Sequence, residues 1–374
     1  MTTFVYPGSS WPLRSWPARA WPLAGDAPPE PEPTLLPDVA WVNGFYALIL
    51  VANANGTPIG ELAAEIDSLT WQLNDFGQAR LIVANPGPAA RLLEYGNRLL
   101  IYLDNGLPPW AGFIDPPRGW RYGSVTLTAY SGERLLAHRL TGRNRAFSLA
   151  TAGAMMTALL KEQAGPRVVE PGYIDLGGWA FSETYHFEEL LDVAQSDLLR
   201  AAAEFAVVGV LEAGRIRFRL NLYQRRGRDL ANVWLLEGHN AVIEPEEQGP
   251  IVNEWLTAGA GSGWDDTGRL YSSARDDDSI ARFGLRQGPK VFSDAADQTT
   301  LNILTENELA LSAEPYVAMS VEAINLPPAR FADYDVGDGV GIELYSMMGG
   351  YRGTRRLVGR EFRPAAGVCR VVLV

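Results

Sequence analysis

Cysteine occurs once in this chain, at Cys369, so no disulfide can form within it, and only His138, His186 and His239 are available to join that thiol around a metal. A Cys/His zinc cluster is thereby excluded, no metal or other cofactor is expected, and the fold must rest on packing. Lysine is almost as scarce, at Lys161 and Lys290 alone. Long apolar runs are also missing, since Phe45–Ala52 and 205–211 fall far short of the ~20 residues that cross a bilayer. The opening MTTFVYPGSS has neither a basic nor an apolar stretch, so neither a signal peptide nor membrane insertion is expected. Positive charge is in deficit, with Lys+Arg 32 against Asp+Glu 44 and a formal net charge of −12. That balance argues against a broad basic face that would hold nucleic acid or anionic lipid.

What the chain has in quantity is turn residues and tryptophan: Gly 38, Pro 25 and Trp 11 in 374 residues. Such punctuation excludes an all-helical bundle and favours many short elements. Residues 1–37 read as an extended arm. WPLRS-WPARA-WPLAG places Trp11, Trp16 and Trp21 five residues apart, each followed by proline, and APPEPEPTLLP comes after. Proline removes donors and fixes φ, and exposed tryptophans mark a partner surface. The arm is expected to dock on a neighbouring subunit through these three side chains; folding back on its own domain or serving as a linker are the alternatives.

From residue 38 to 141 the text turns β-rich. WVNGFYALILVA, SLTWQLND, ARLIVAN, RLLIYLD, PWAGFID and SVTLTAY are strand-like runs parted by Gly, Pro and Asn, as in a small barrel, with one short helix at 89–95. Residues 142–250 mix types. Helices are expected at 149–162 and 187–205, the second with Phe187, Leu190, Leu191, Ala194, Leu198 and Phe205 on one stripe, and a hairpin follows with Ala213-Gly214 in its turn. Residues 251–374 return to strands around an inserted helix at 300–312, capped by Thr299 or Thr300. The expected fold class is therefore α+β, mostly β: two small β-barrel domains flank an α/β middle domain, preceded by the arm.

An internal echo supports two related β units. Gly96-Asn-Arg-Leu-Leu-Ile101, Trp110-Ala-Gly112 and Gly123-Ser-Val-Thr match Gly337-Asp-Gly-Val-Gly-Ile342, Leu357-Val-Gly359 and Gly367-Val-Cys-Arg. Glycine turns common to any β-meander are the alternative reading.

Familiar catalytic arrangements are missing: there is no nucleophile elbow, His-Glu-x-x-His, Walker loop or dinucleotide fingerprint. In Gly259-Ala-Gly-Ser-Gly263, Trp264 takes the place of the last glycine required. Asp333-Tyr-Asp335-Val-Gly-Asp338 has the look of a calcium loop, but its twelfth position is Leu344, and a tight turn before a strand is expected instead. Asp276–Asp278 and Glu244, Glu246 and Glu247 read as solvated acidic faces.

Read in order, Ile66-Asp-Ser-Leu-Thr-Trp71, Asn74-Asp-Phe-Gly77, Leu92-Leu-Glu-Tyr-Gly96, Ile101-Tyr-Leu-Asp104, Trp110-Ala-Gly112 and Val125-Thr-Leu-Thr-Ala-Tyr130 resemble the opening barrel of phage tail hub proteins, the baseplate-hub and tail-associated proteins of tailed bacteriophages and related particles. Ser279-Ile-Ala-Arg-Phe-Gly284, Tyr334-Asp-Val-Gly-Asp338 and Arg355-Arg-Leu-Val-Gly359 look like the closing barrel of that family. The resemblance covers roughly residues 40–374 and leaves the arm unmatched. It implies a structural, non-enzymatic virion protein at the tail tip or baseplate, assembled in the host cytoplasm. It further implies a homotrimer whose two barrels per chain form a pseudo-sixfold ring between the tail tube or distal tail protein and the tip, fibre or spike protein, with DNA passing through an acidic lumen unheld. A receptor- or glycan-binding tip module and a tail-associated cell-wall hydrolase are the alternatives.

Overall fold

The computed structural model describes residues 40–374 apart from 43–44, 163–168, 177–179, 201–202, 249–250, 262–263, 265–267, 294, 296, 315 and 347–349. The arm, with Trp11, Trp16 and Trp21, lies outside the described residues. The described residues divide into two compact units, one within 40–242 and 321–372 and one within 243–320 with 373–374.

The larger unit opens with β1 (Ala40–Val42), β2 (Phe45–Ala52), β3 (Pro58–Glu61), β4 (Glu65–Gln72), β5 (Gln78–Ala84), β6 (Arg98–Leu103), β7 (Trp110–Arg121) and β8 (Ser124–Ser131). Period-two patterning builds them: in β5, Ala79, Leu81 and Val83 are buried while Gln78, Arg80 and Ala84 are exposed. The helix expected at 89–95 is only a 3-10 turn at Ala90–Leu93. Pro86 and Pro88 before it and Gly96, at φ 85°, after it leave no room for more.

Next come α1 (Arg134–Ala137), β9 (Arg145–Thr151), α2 (Ala152–Glu162), β10 (Val169–Asp175), β11 (Ala180–Tyr185), α3 (Leu190–Arg200), β12 (Glu204–Glu212) and β13 (Arg215–Tyr223). Both expected helices are shorter than their apolar stripes. Leu149 sits at φ 47° on a strand, and Phe187, at φ 61°, is exposed ahead of α3. Phe205 belongs to β12, yet it reaches the same core as Leu190, Leu198 and Met155, so its spacing matched the helix without its being helical. The hairpin is as expected: β12 pairs β13 antiparallel, and Ala213 and Gly214 both take positive φ, the turn that suits a twisted two-residue hairpin.

Further strands are β14 (Asp229–Leu236) and β15 (Ala241–Gln248), the latter counted with the smaller unit from residue 243 on. The smaller unit then contributes β16 (Glu254–Ala258), β17 (Tyr271–Arg275), α4 (Asp277–Phe283), β18 (Gln287–Val291) and α5 (Gln298–Ser312), with β16 between antiparallel β17 and parallel β18. Asp276 and Asp297 cap its helices, accepting from Ser279 N and Thr300 N at 2.9 Å each; the cap of α5 is thus Asp297 and not a threonine. Buried Asn253 stitches the unit by accepting from Arg286 N at 2.7 Å and donating to Gly284 O at 2.8 Å.

The chain closes with β19 (Tyr316–Ile324), β20 (Gly339–Leu344), β21 (Tyr351–Arg363) and β22 (Val368–Leu373). One sheet runs in the order β1-β2-β6-β7-β8-β5-β4-β21-β22-β19-β15, with β3 beside β2 and β14 beside β20. The architecture is α+β and mostly β. Where two closed barrels were expected, no closed barrel is found among the described residues, over which the path runs from β1 to β15.

Candidate functional site

The sheet contains one strand unit twice. β4 to β8 lie in the spatial order β6-β7-β8-β5-β4, and β15 with β19 to β22 lie in the order β20-β21-β22-β19-β15. Chain order and spatial order agree between the two, position for position. Local detail agrees as well. β6 and β20 share one burial pattern, four buried residues, one half-buried and one buried. Gly96 N donates to Ile114 O at 2.8 Å and Ile114 N to Asn97 O at 2.9 Å; Gly337 N donates to Leu357 O at 2.7 Å and Leu357 N to Asp338 O at 2.8 Å. Gly96, Gly123, Gly337 and Gly367 all have positive φ, which frees these turns from Cβ strain.

These bonds also correct the sequence alignment inside the middle strand. Ile114 stands where Leu357 stands, so Gly112 and Gly359 are not equivalent; Gly359 corresponds to Pro116, Arg360 to Pro117 and Phe362 to Gly119. The echo was right about the turns and misplaced by four residues in the strand between them.

The two repeats meet at one joint. Beyond its pairing with β20, β21 pairs antiparallel with β4, setting Gly359, Arg360, Glu361 and Phe362 against Gln72, Trp71, Thr70 and Leu69. Arg360, 2% exposed, donates to Tyr334 O and Phe331 O at 2.7 Å each and to Cys369 Sγ at 3.1 Å, and lies over the Tyr334 ring at 4.6 Å. Its cation is thus spent on backbone carbonyls. Burial pushes the Cys369 thiol up, so that sulfur stays a thiol in the core.

Beside the joint lies a cleft of about 710 Å3 with Trp71, Tyr102, Glu133, Val207, Arg226 and Tyr334 in its wall. Polar groups in its wall and behind it brace the second repeat to the hairpin. Arg356 grips Glu204 with both terminal nitrogens at 2.6 Å and donates to Arg226 O at 2.9 Å. Glu204 also accepts from Arg226 N at 2.6 Å, and Arg226 reaches Asp335 at 3.4 Å. Asp338 accepts from Arg228 N and Asp335 N at 2.9 and 2.8 Å, making the acidic stretch 333–338 a turn lock ahead of β20, as its spacing predicted. Glu133 is buried and accepts from Ser131 Oγ at 2.5 Å and Val207 N at 2.7 Å. Burial pushes its carboxyl above the usual range, opposed by those two bonds.

Each of these carboxylates is committed to an arginine or to backbone N–H groups, an arrangement that fixes geometry. The histidines do not converge: His138 faces Asp115 at 3.6 Å, His239 Nε2 lies 3.2 Å from Pro327 O, and the His186 backbone meets Glu188 at 3.4 Å. Among the described residues no three His, Cys, Asp or Glu side chains are placed to hold a metal. The Arg356–Glu204 clamp was not legible in the sequence because its partners are 152 residues apart.

No protein-family model matches this chain, and no curated protein does. Solved structures do. The prophage tail protein gp18 of Listeria monocytogenes aligns at a TM-score of 0.59 and 15% identity, over 87% of this chain and 94% of that one. The 43 kDa tail protein of prophage MuSo2 from Shewanella oneidensis aligns at 0.61 and 11%, over 88% and 98%. A tail protein of Neisseria meningitidis aligns at 0.58 and 13%, over 87% and 96%. Across nearly its whole described length, the chain has the fold of these phage tail proteins.

Proposed function

We propose that this protein is a structural hub of a phage-type tail tip or baseplate, located in the virion and without turnover of its own. Three chains form a ring in which two repeats per chain give six similar positions around the axis, joining a sixfold tail tube or distal tail protein to a threefold tip, fibre or spike. The observation that carries this reading is the duplicated strand unit: one chain offers the same backbone plan twice, as a threefold assembly needs to meet a sixfold neighbour. The fold it shares with tail proteins supports the same reading. The domain division proposed with it is an arm at 1–37, β units at 38–141 and 251–374, and a middle domain at 142–250 whose last strand, β15, joins the second β unit.

A net charge of −12 suits a conduit, since each Lys or Arg contact to phosphate would hold the passing DNA in a salt-dependent way. The arm is proposed to reach a neighbouring chain or tail protein through Trp11, Trp16 and Trp21, whose burial at ~25 cal/mol per Å2 would add several kcal/mol before ordering is subtracted. Removing residues 1–37 should then weaken particle assembly while leaving the thermal melt of the isolated chain in place; unchanged assembly would contradict the arm's role. The function itself is tested by light scattering with negative-stain class averages of the purified chain. A trimer with six lobes is expected, and a monomer at every concentration, with no ring in the particle, would overturn it.

A further inference from the structure

The joint between the repeats is made by the first strand of one repeat, β4, on the fourth strand of the other, β21. It is head-to-tail, so it leaves one complementary pair of surfaces unused: the first strand of the second repeat, β15, and the fourth strand of the first, β7. Among the described residues β15 is the last strand of the sheet path, with only Ala241 bridged further, to Glu237. On β7, the pairing with β6 ends at Phe113, as the pairing of β21 with β20 ends at Arg356. Residues 116–119 are therefore the counterpart of the segment 359–362 that receives β4. A head-to-tail contact repeated by rotation gives a ring where the rotation closes, as the hub reading requires, and an open filament where it does not.

We infer that β15 of one chain docks on the outer end of β7 of the next copy of this chain, and that this contact is the inter-chain joint of the ring. The inference rests on the hub reading above and says where its subunits meet. Charge favours it independently. β15 reads Ala-Val-Ile-Glu-Pro-Glu-Glu-Gln, with Ala241 and Ile243 buried and Val242 and Glu244 exposed. β4 uses its C-terminal half, Leu69–Gln72 in the pairing, to reach β21, and the matching half of β15 is the acidic one. The outer end of β7 has the opposite character: Arg118 and Arg121 flank Trp120, which is 66% exposed, and Tyr122 follows, fully exposed. Arg118 donates from one terminal nitrogen to Leu93 O and lies between the Tyr95 ring at 4.4 Å and the Trp120 ring at 5.9 Å, which leaves the rest of its guanidinium and all of Arg121 for the joint.

The new joint differs from the internal one in a way the sequence dictates. Pro116 and Pro117 stand where Gly359 and Arg360 pair with β4, and proline has no N–H to give a ladder. Prolines and charges on an exposed edge also keep it from pairing with arbitrary strands. Side chains must therefore make the contact, arginine against glutamate with Trp120 alongside, and the joint should weaken as salt rises.

Four full-length variants test this by light scattering. Arg118→Glu with Arg121→Glu makes every joint acid on acid, and Glu244→Arg with Glu246→Arg and Glu247→Arg makes every joint base on base. Each set alone is expected to drop the trimer to monomer mass; both sets in one chain reverse the pairs and should restore the trimer. Arg121→Glu alone, at an exposed residue, should shift the association midpoint without touching the fold. If either set alone stays trimeric, or the combined chain does not recover, this joint is wrong while the hub reading stands. A wild-type chain that is monomeric, with no ring in the particle, defeats both.

Discussion

The two repeats have one backbone plan and fill it differently. In the first, Leu100 packs with Ala52 and Ile216, and the guanidinium of Arg98 donates to Ile216 O at 2.5 Å beside the Phe218 ring. In the second, glycines stand at both equivalent positions, because parallel β14 comes close: a Cβ on Gly341 would lie 2.3 Å from the Trp234 ring, and one on Gly339 2.2 Å from Asp229. Phe113, buried in the first repeat, corresponds to Arg356, the clamp of the second. Turn glycines and strand pairing thus define the repeat, and the side chains that diverge are those facing whatever each copy has beside it.

Replacing Arg356 by Met should break this comparison hardest, because it leaves Glu204 buried without its partner; a loss of about 3–5 kcal/mol is expected by urea unfolding. Adding Glu204→Gln should return much of it, whereas an unchanged midpoint in the single variant would make the clamp ornamental. Gly341→Ala should follow at about 1–3 kcal/mol, since the Trp234 ring must move. The reciprocal change, Leu100→Gly, would open a cavity in the first repeat rather than relieve one, so the two positions should prove non-interchangeable. A smaller effect is confined to one end of α5: Asp297→Ala should cost about 1 kcal/mol by loss of its cap.

The smallest effect is one of pH. With its carboxyl raised by burial, Glu133 favours the folded state while protonated. That contribution is present below the ordinary carboxylate range and is lost as pH rises through the raised folded value. Between pH ~4 and pH ~8 the wild type should therefore lose stability relative to Glu133→Gln. Parallel pH profiles of the two proteins would contradict the assignment.

What the sequence revealed and what it hid divide along the same lines. Turns at Gly96, Gly123, Gly337 and Gly367 were readable because positive φ leaves a residue-type signature. So was the Ala213-Gly214 hairpin. β15 was not: Glu244, Pro245, Glu246 and Glu247 run against strand propensity, and its sheet neighbour β19 begins at Tyr316, so only non-local pairing makes it a strand. Phe187 and Phe205 extended a helical stripe because apolar residues on a turn and on a strand share the spacing of a helix face. The joint of β4 on β21 joins residues almost three hundred positions apart and has no local signal at all. Register inside β7 and β21 was misread for a related reason, since backbone bonds set it and the strand glycines do not.

The central claim is that the two repeats occupy equivalent places around one axis. Cryo-electron microscopy of the intact particle tests it directly. Three copies of this chain are predicted on the tail axis, with all six repeats at one radius, spaced evenly, and β15 of each chain against β7 of the next. A single copy off the axis, or repeats at two unrelated radii, would contradict the account.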